Sequence, residues 1–293
     1  MLLPVGVKAQ AVENYIVLGD SLAAGQTPYS QIDAGYTDFI ALQLTRSGQL
    51  ANFTKELAFP GYTVANVLAS VQTERADELL ADATLITISA GANDLLRLVS
   101  HNPNAGTLSF SQLTADFALN TARKDFATLL ETVGVKAPNA KVYVMGYYFP
   151  YVNVHESQKA GTTKQLVTLN AILQQEAEIA EATFVPVYKQ FEVAGPNYLP
   201  NVEDVHPNQN GYRVMANAFL EIYAGNESLA MPENAMPTPN PLTFEEILQL
   251  QQDAKSEDRK TEQVAVDASV QKRHHPINMY VMHFGYKETL FLS

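Results

Sequence analysis

The chain has 293 residues, 46% hydrophobic and 17% charged, with a formal net charge of −12 and no cysteine. That length holds one large domain or two small ones, and the composition is that of an ordinary globular protein. The acidity opposes binding to nucleic acid or an anionic membrane surface, where the phosphate term would be repulsive, and the lack of cysteine excludes disulfides, thiolate nucleophiles and Cys-bound zinc.

The chain opens with apolar Leu2-Leu3-Pro4-Val5-Gly6-Val7, then Ala9-Gln10-Ala11, a small-x-small pattern of the signal-peptidase type. Residues 1–11 read as a signal-peptide remnant, which predicts a secreted or cell-surface protein, or as a disordered N-terminus of a cytoplasmic one. No run approaches the ~20 apolar residues needed to span a bilayer. Tyr15-Ile16-Val17-Leu18 is an apolar strand broken by Gly19 and Asp20, so Ser21 is delivered at its carboxyl end, where open α/β sheets bind ligands. A helix is expected over Tyr36 to Ser47 and a weaker strand over Phe53 to Leu57. A further helical stretch carries Val64, Val67, Leu68 and Val71.

Thr84 to Ser89 is a β-branched apolar run of the kind buried in parallel sheets. Leu113 and Phe117 start the next helix, and Phe126, Leu129, Leu130 and Val133 continue its stripe. Val142 to Met145 is a strand, and Leu166, Leu169, Ile172, Leu173 and Ala177 make a helix. Phe184 to Val187 is a shorter strand, and Tyr212 to Tyr223 a last helix. Alternating strands and helices imply a parallel sheet covered on both faces. This domain spans residues 12–224. Residues 225–242, with Pro232, Pro237, Pro239 and Pro241, read as a linker. In the tail, 243–293, Thr243 to Glu246 form a capping box ahead of Phe244, Ile247, Leu248 and Gln251. Its aromatic end suggests two short strands around Gly285.

A serine hydroxyl needs an adjacent base. His206 follows the last strand, so a parallel sheet brings it to the same edge as Ser21. Glu203 and Asp204 are both placed to orient its ring. Asp20 is instead expected to hydrogen-bond the turn. Gly61, in Pro60-Gly61-Tyr62-Thr63, allows close backbone approach, so its N–H can face a developing negative charge. Asn93 directly follows the third strand, and its amide can donate to the same oxygen. No cofactor or metal set is read: an FMN site would want a phosphate-cradling loop, and only Gly25 lies between Ser21 and Tyr29.

The blocks Gly19-Asp20-Ser21-Leu22, Gly61, Gly91-Ala92-Asn93-Asp94 and His206-Pro207 resemble, in that order, the four blocks of the GDSL or SGNH hydrolases. The resemblance covers Val12 to Ala224. It implies a flavodoxin-like three-layer α/β/α sandwich with a central parallel sheet. It also implies a serine esterase or lipase acting on a small-molecule or lipid ester, with Ser21 as nucleophile and an oxyanion hole of Ser21 N–H, Gly61 N–H and the Asn93 amide. The family usually sets its Asp three residues before the His, where this chain has Glu203. Asp204 stands two before, and Asn197 to Pro207 looks like a lipase-like bacterial subgroup with Asp at that spacing; Asp204 is the favoured acid. The Gly-x-Ser-x-Gly elbow of α/β-hydrolases is absent. An O-acetyl-glycan deacetylase and a catalytically silent cell-surface binding module are the competing readings. The aromatic loop Tyr147 to Tyr151, after the fourth strand, suits an acyl chain or an aromatic ester, and could equally stack on a sugar or simply cover the core; short-to-medium acyl esters or lysolipids rank above O-acetylated glycans as expected substrates.

Overall fold

The computed structural model describes residues 12–243, 245–247 and 249. The chain divides into two units, Met1–Pro241 and Leu242–Ser293. In the first, five strands form one sheet: β1 (Glu13–Gly19), β2 (Leu50–Ala58), β3 (Leu85–Ser89), β6 (Lys141–Met145) and β7 (Thr183–Val185). A separate two-stranded hairpin pairs β4 (Ser100–Asn102) with β5 (Thr107–Ser109). The sheet runs β2-β1-β3-β6-β7 and every pairing in it is parallel. The strand order reverses at β1, whose neighbours are β2 and β3, and the crevice at that reversal is where such sheets place ligands.

Helices cover both faces. α2 (Tyr36–Arg46) packs on α9 (Gln209–Ala224), while α3 (Val64–Ser70) packs on α6 (Gln112–Lys136), which packs on α7 (Glu156–Ile179). The three layers match the expected α/β/α sandwich. Tyr15, Val17, Leu18, Leu85, Ile86 and Ile88 are buried in the central strands. Tyr143 of β6 meets Phe219 of α9 edge-on, with ring centroids 4.8 Å apart. Burying a side chain such as Phe126 or Phe219 stabilises by about 1.5–3 kcal/mol each.

Several elements differ from expectation. Leu113 and Phe117 lie on α6 but are 82% and 72% exposed; Ala115, Ala118, Leu119 and Ala122 carry the buried stripe into Phe126. At 3.6 residues per turn, Leu113 and Phe117 fall roughly 180–220° from Phe126, on the opposite side of the helix. The β4–β5 hairpin, α4 (Glu74–Ala81), α5 (Ala92–Leu96) and α8 (Tyr188–Tyr198) were not foreseen. The segment expected to be a linker holds two short 3₁₀ turns and packs on α9. Met231 is fully buried, its N–H donating to Asn217 Oδ1 at 2.8 Å and its carbonyl accepting from Asn217 Nδ2 and Arg213 Nη1. Prolines end regular structure without preventing a segment from packing.

In the second unit, Thr243 N donates to Glu246 Oε2 at 2.7 Å and Glu246 N to Thr243 Oγ1 at 3.2 Å, the reciprocal pair of a capping box. The expectations for residues 1–11, for Phe244, Leu248 and Gln251 and for the strands around Gly285 lie outside the described residues. Among the described residues no helix is long and apolar enough to cross a membrane.

Gly19 fixes how β1 ends. Its φ is +148°, and a Cβ there would lie 2.4 Å from the Ser89 carbonyl oxygen on the neighbouring strand. Gly19→Ala is expected to cost about 2–4 kcal/mol from backbone strain and overlap, read as a lower urea midpoint at unchanged slope.

Candidate active site

Ser21 follows directly from that turn. It is the first residue of α1 (Ser21–Ala24), capped by Asp20, whose Oδ1 accepts from Leu22 N at 3.0 Å. Asp20 is 1% exposed and also accepts from Ser89 Oγ at 2.9 Å and, through Oδ2, from the Tyr147 hydroxyl at 2.6 Å. Burial pushes the Asp20 carboxyl up from its ordinary pKa, against these three hydrogen bonds. Asp20 thus shapes the turn, as its place before Ser21 suggested. Its link to Tyr147, 127 positions along the chain, was not visible in the sequence.

His206 Nε2 lies 2.7 Å from Ser21 Oγ, and both residues are nearly buried, at 8% and 7% exposure. His206 Nδ1 lies 2.6 Å from Asp204 Oδ1, the oxygen that also accepts from His206 N at 2.7 Å. Burial opposes ionisation of Asp204, but the ring and backbone bonds from His206, with its Coulombic attraction, hold the carboxyl below its usual pKa. Glu203 is exposed. The His206 loop is tied on two sides: the Tyr148 hydroxyl donates to Val205 O at 2.8 Å, and Asn201 Nδ2 donates to Pro28 O at 2.8 Å. Tyr148 is itself held by stacking on Phe191 of α8, with centroids 3.9 Å apart. Asn208 caps α9, its side chain accepting from Gly211 N at 3.0 Å.

Asn93 stands in the first turn of α5, and its Nδ2 donates to Tyr62 O at 2.9 Å, leaving the second amide hydrogen for another acceptor. Gly61, at φ +82°, sits on a turn in which Phe59 N donates to Gly19 O at 2.9 Å, so this turn is hung on the end of β1. The backbone N–H groups of Ser21 and Gly61 donate to nothing among the described residues. Asp94, next to Asn93, accepts from Val64 N at 3.0 Å and joins α5 to the start of α3; burial raises its carboxyl against that bond.

A cleft enclosing about 850 Å³, its open mouth included, runs from Ser21 and His206 past Asn93 to α6 and α7. Its walls are mostly apolar: Leu95, Leu96, Val99, Phe110, Leu166 and the loop Tyr147 to Tyr151 among them. Gly61 is not among its lining residues. Asn170 of α7 clamps the aromatic loop, accepting from Tyr147 N and donating to Tyr147 O, each at 2.8 Å. A polar residue at position 170, between Leu166 and Leu173 on the buried face, was the one sequence sign of that clamp.

Residues 17–214 match the profile of the GDSL-like lipase/acylhydrolase family. No curated protein matches the chain. Among solved structures, a lipase from a goat rumen metagenome superposes with a TM-score of 0.58 at 20% identity, covering 73% of this chain and 98% of its own. An acetyl-xylooligosaccharide esterase from Geobacillus gives 0.54 at 16% identity, covering 72% and 94%. An extracellular lipase from Streptomyces rimosus gives 0.52 at 20% identity, covering 72% and 98%.

Proposed function

The chain belongs to the GDSL-like lipase/acylhydrolase family and is a carboxylic ester hydrolase; on that footing we propose that it works through an acyl-enzyme on Ser21 and prefers esters of medium acyl chains. The observation that carries this reading is the 2.7 Å contact between Ser21 Oγ and His206 Nε2 at the head of an apolar cleft. A binding module has no need of a base aligned on a serine.

In the proposed cycle Ser21 Oγ attacks the ester carbonyl while His206 Nε2 takes its proton. Asp204 supports the resulting imidazolium. The carbonyl oxygen, now anionic, accepts from Ser21 N–H, Gly61 N–H and the free hydrogen of Asn93 Nδ2. His206 then returns the proton to the departing alkoxide. Water repeats the sequence on the acyl-enzyme, releasing the acid and restoring Ser21. Asn93 is pre-aimed by its bond to Tyr62 O, so little reorganisation is needed when charge develops. Asn93→Ala is expected to lower kcat by roughly 10²-fold with little change in KM, because the donor acts on charge present only in the transition state. A rise in KM at constant kcat would make it a substrate-binding residue instead.

A p-nitrophenyl ester series from acetate to dodecanoate tests the substrate preference. Activity is expected to rise from acetate to a medium chain, because each buried methylene adds about 0.8 kcal/mol. Turnover of acetate alone would favour a deacetylase on the same residues, and no turnover of any ester would favour the binding module.

A further inference from the structure

Resting on the ester-hydrolase reading of the Ser21 site, we propose that Tyr148 is a positioning residue for that reaction: its hydroxyl sets the peptide group that aims the Asp204 carboxylate at His206. Val205 O and His206 N–H belong to one planar trans peptide, so they point from its opposite edges. The Tyr148 hydroxyl donates to Val205 O at 2.8 Å. At the other edge His206 N donates to Asp204 Oδ1 at 2.7 Å. The same Oδ1 lies 2.6 Å from His206 Nδ1. A turn of this peptide about its flanking bonds would therefore draw His206 N off the one oxygen that also orients the ring. The phenol resists that turn from the edge facing away from Asp204.

The donor is fixed before substrate arrives. A carbonyl only accepts, so the phenol must donate. Burial, with the negative charges of Asp20 and Asp204, pushes the Tyr148 hydroxyl well above its usual pKa, so it keeps its proton across the neutral range. Tyr148 is 5% exposed, and its ring lies on Phe191 with 10° between the two planes. The peptide leading into it is held from α7, where Asn170 Nδ2 donates to Tyr147 O at 2.8 Å. Ring, hydroxyl and main chain are thus oriented in advance, which spares the reaction that cost.

The neighbouring Tyr147 supplies a comparison within the same loop. Its hydroxyl donates to Asp20 Oδ2 at 2.6 Å, on the turn that carries Ser21. Two successive phenols thus hold different halves of the site, Tyr147 the nucleophile's turn and Tyr148 the loop of the base.

Asp204 supports an imidazolium that exists only once the proton has moved, so misaiming it raises the barrier without weakening ester binding. Tyr148→Phe keeps the ring, its stack and its part of the cleft wall, and removes only the hydroxyl. With p-nitrophenyl octanoate it is expected to lower kcat about three- to tenfold, the worth of one neutral hydrogen bond, with KM within about twofold of wild type. In the Asp204→Asn background the same change should cost less than about twofold, because the carboxylate it aims is gone. A second readout needs no turnover. The proton between His206 Nδ1 and Asp204 Oδ1, in so short a bond, resonates downfield of the amides in proton NMR. Tyr148→Phe should move it toward them or broaden it by exchange with water, whereas Tyr147→Phe should leave it in place. Circular dichroism checks that each variant is folded. Wild-type kcat in Tyr148→Phe, a loss confined to KM, or the same factor in both backgrounds overturns the proposal. So does a downfield proton that Tyr148→Phe leaves unmoved or that Tyr147→Phe moves equally. Each of these leaves the ester-hydrolase reading standing, whereas no turnover of any ester by the wild type removes that reading and the proposal with it.

Discussion

Ser21→Ala is expected to lower kcat for p-nitrophenyl octanoate by about 10⁴–10⁶-fold, while the folded protein persists. The size follows from the cooperation of nucleophile, base and acid: once the nucleophile is gone, the aligned base has nothing to activate. The residual rate would come from the oxyanion donors and the cleft alone. Stability should change by less than about 1 kcal/mol, since only one neutral hydrogen bond, to His206 Nε2, is lost. Circular dichroism and the urea midpoint check the fold, and a burst-free progress curve checks the chemistry. Wild-type turnover by a folded Ser21→Ala protein would remove Ser21 as nucleophile.

Asp204→Asn should lower kcat by about 10⁴-fold. Asp204 Oδ1 holds both His206 N and His206 Nδ1, and an asparagine can keep one oxygen there without supplying the charge that supports the imidazolium. Its amide can also turn a hydrogen toward Nδ1 and select the wrong tautomer. Glu203→Gln should change kcat by less than about threefold, because an exposed charge beside the loop is screened by water. The reverse ranking would give the acid role to Glu203. Stability offers a second readout. The folded-state pKa of Asp204 lies below its ordinary value of 3.8. Its ionised form therefore contributes stability above that value, and the contribution is lost as pH falls through the lowered one. The stability gap between wild type and Asp204→Asn should narrow as pH drops below about 4.

The sheet domain was legible because buried parallel strands announce themselves. Tyr15 to Leu18, Thr84 to Ser89 and Val142 to Met145 are apolar runs cut off by Gly or Asp, and each became a central strand. Ser21 and Asn93 follow the ends of β1 and β3, and His206 comes after the last strand of the sheet, so their meeting at one edge was readable from parallel topology. Short polar elements were not. The β4–β5 hairpin has three residues on each side and too little alternation to register. α8 carries Pro196 and a non-helical Ala194, which disguise a helix as a loop. At the head of α6 the large apolar side chains Leu113 and Phe117 face outward, while the face that reaches the core carries only the small Ala115 and Ala118, which give a sequence pattern little weight. The bond from Gln165 Nε2 on α7 to Gln112 Oε1 on α6 joins residues 53 positions apart, and no periodicity in either helix encodes it.

The bond between Ser21 and His206 spans 185 positions of the chain. The serine and all three proposed oxyanion donors lie within residues 21–93, whereas the base arrives only with the loop before the last helix of the sandwich. A nascent chain, or a fragment cut before residue 206, therefore carries an inert serine beside an empty place for its base. Such non-local closure belongs to the slow class of folding topologies. Recovery of activity after dilution from denaturant should accordingly lag secondary-structure formation and coincide with complete assembly, so that turnover serves as a clock for the final docking of the His206 loop.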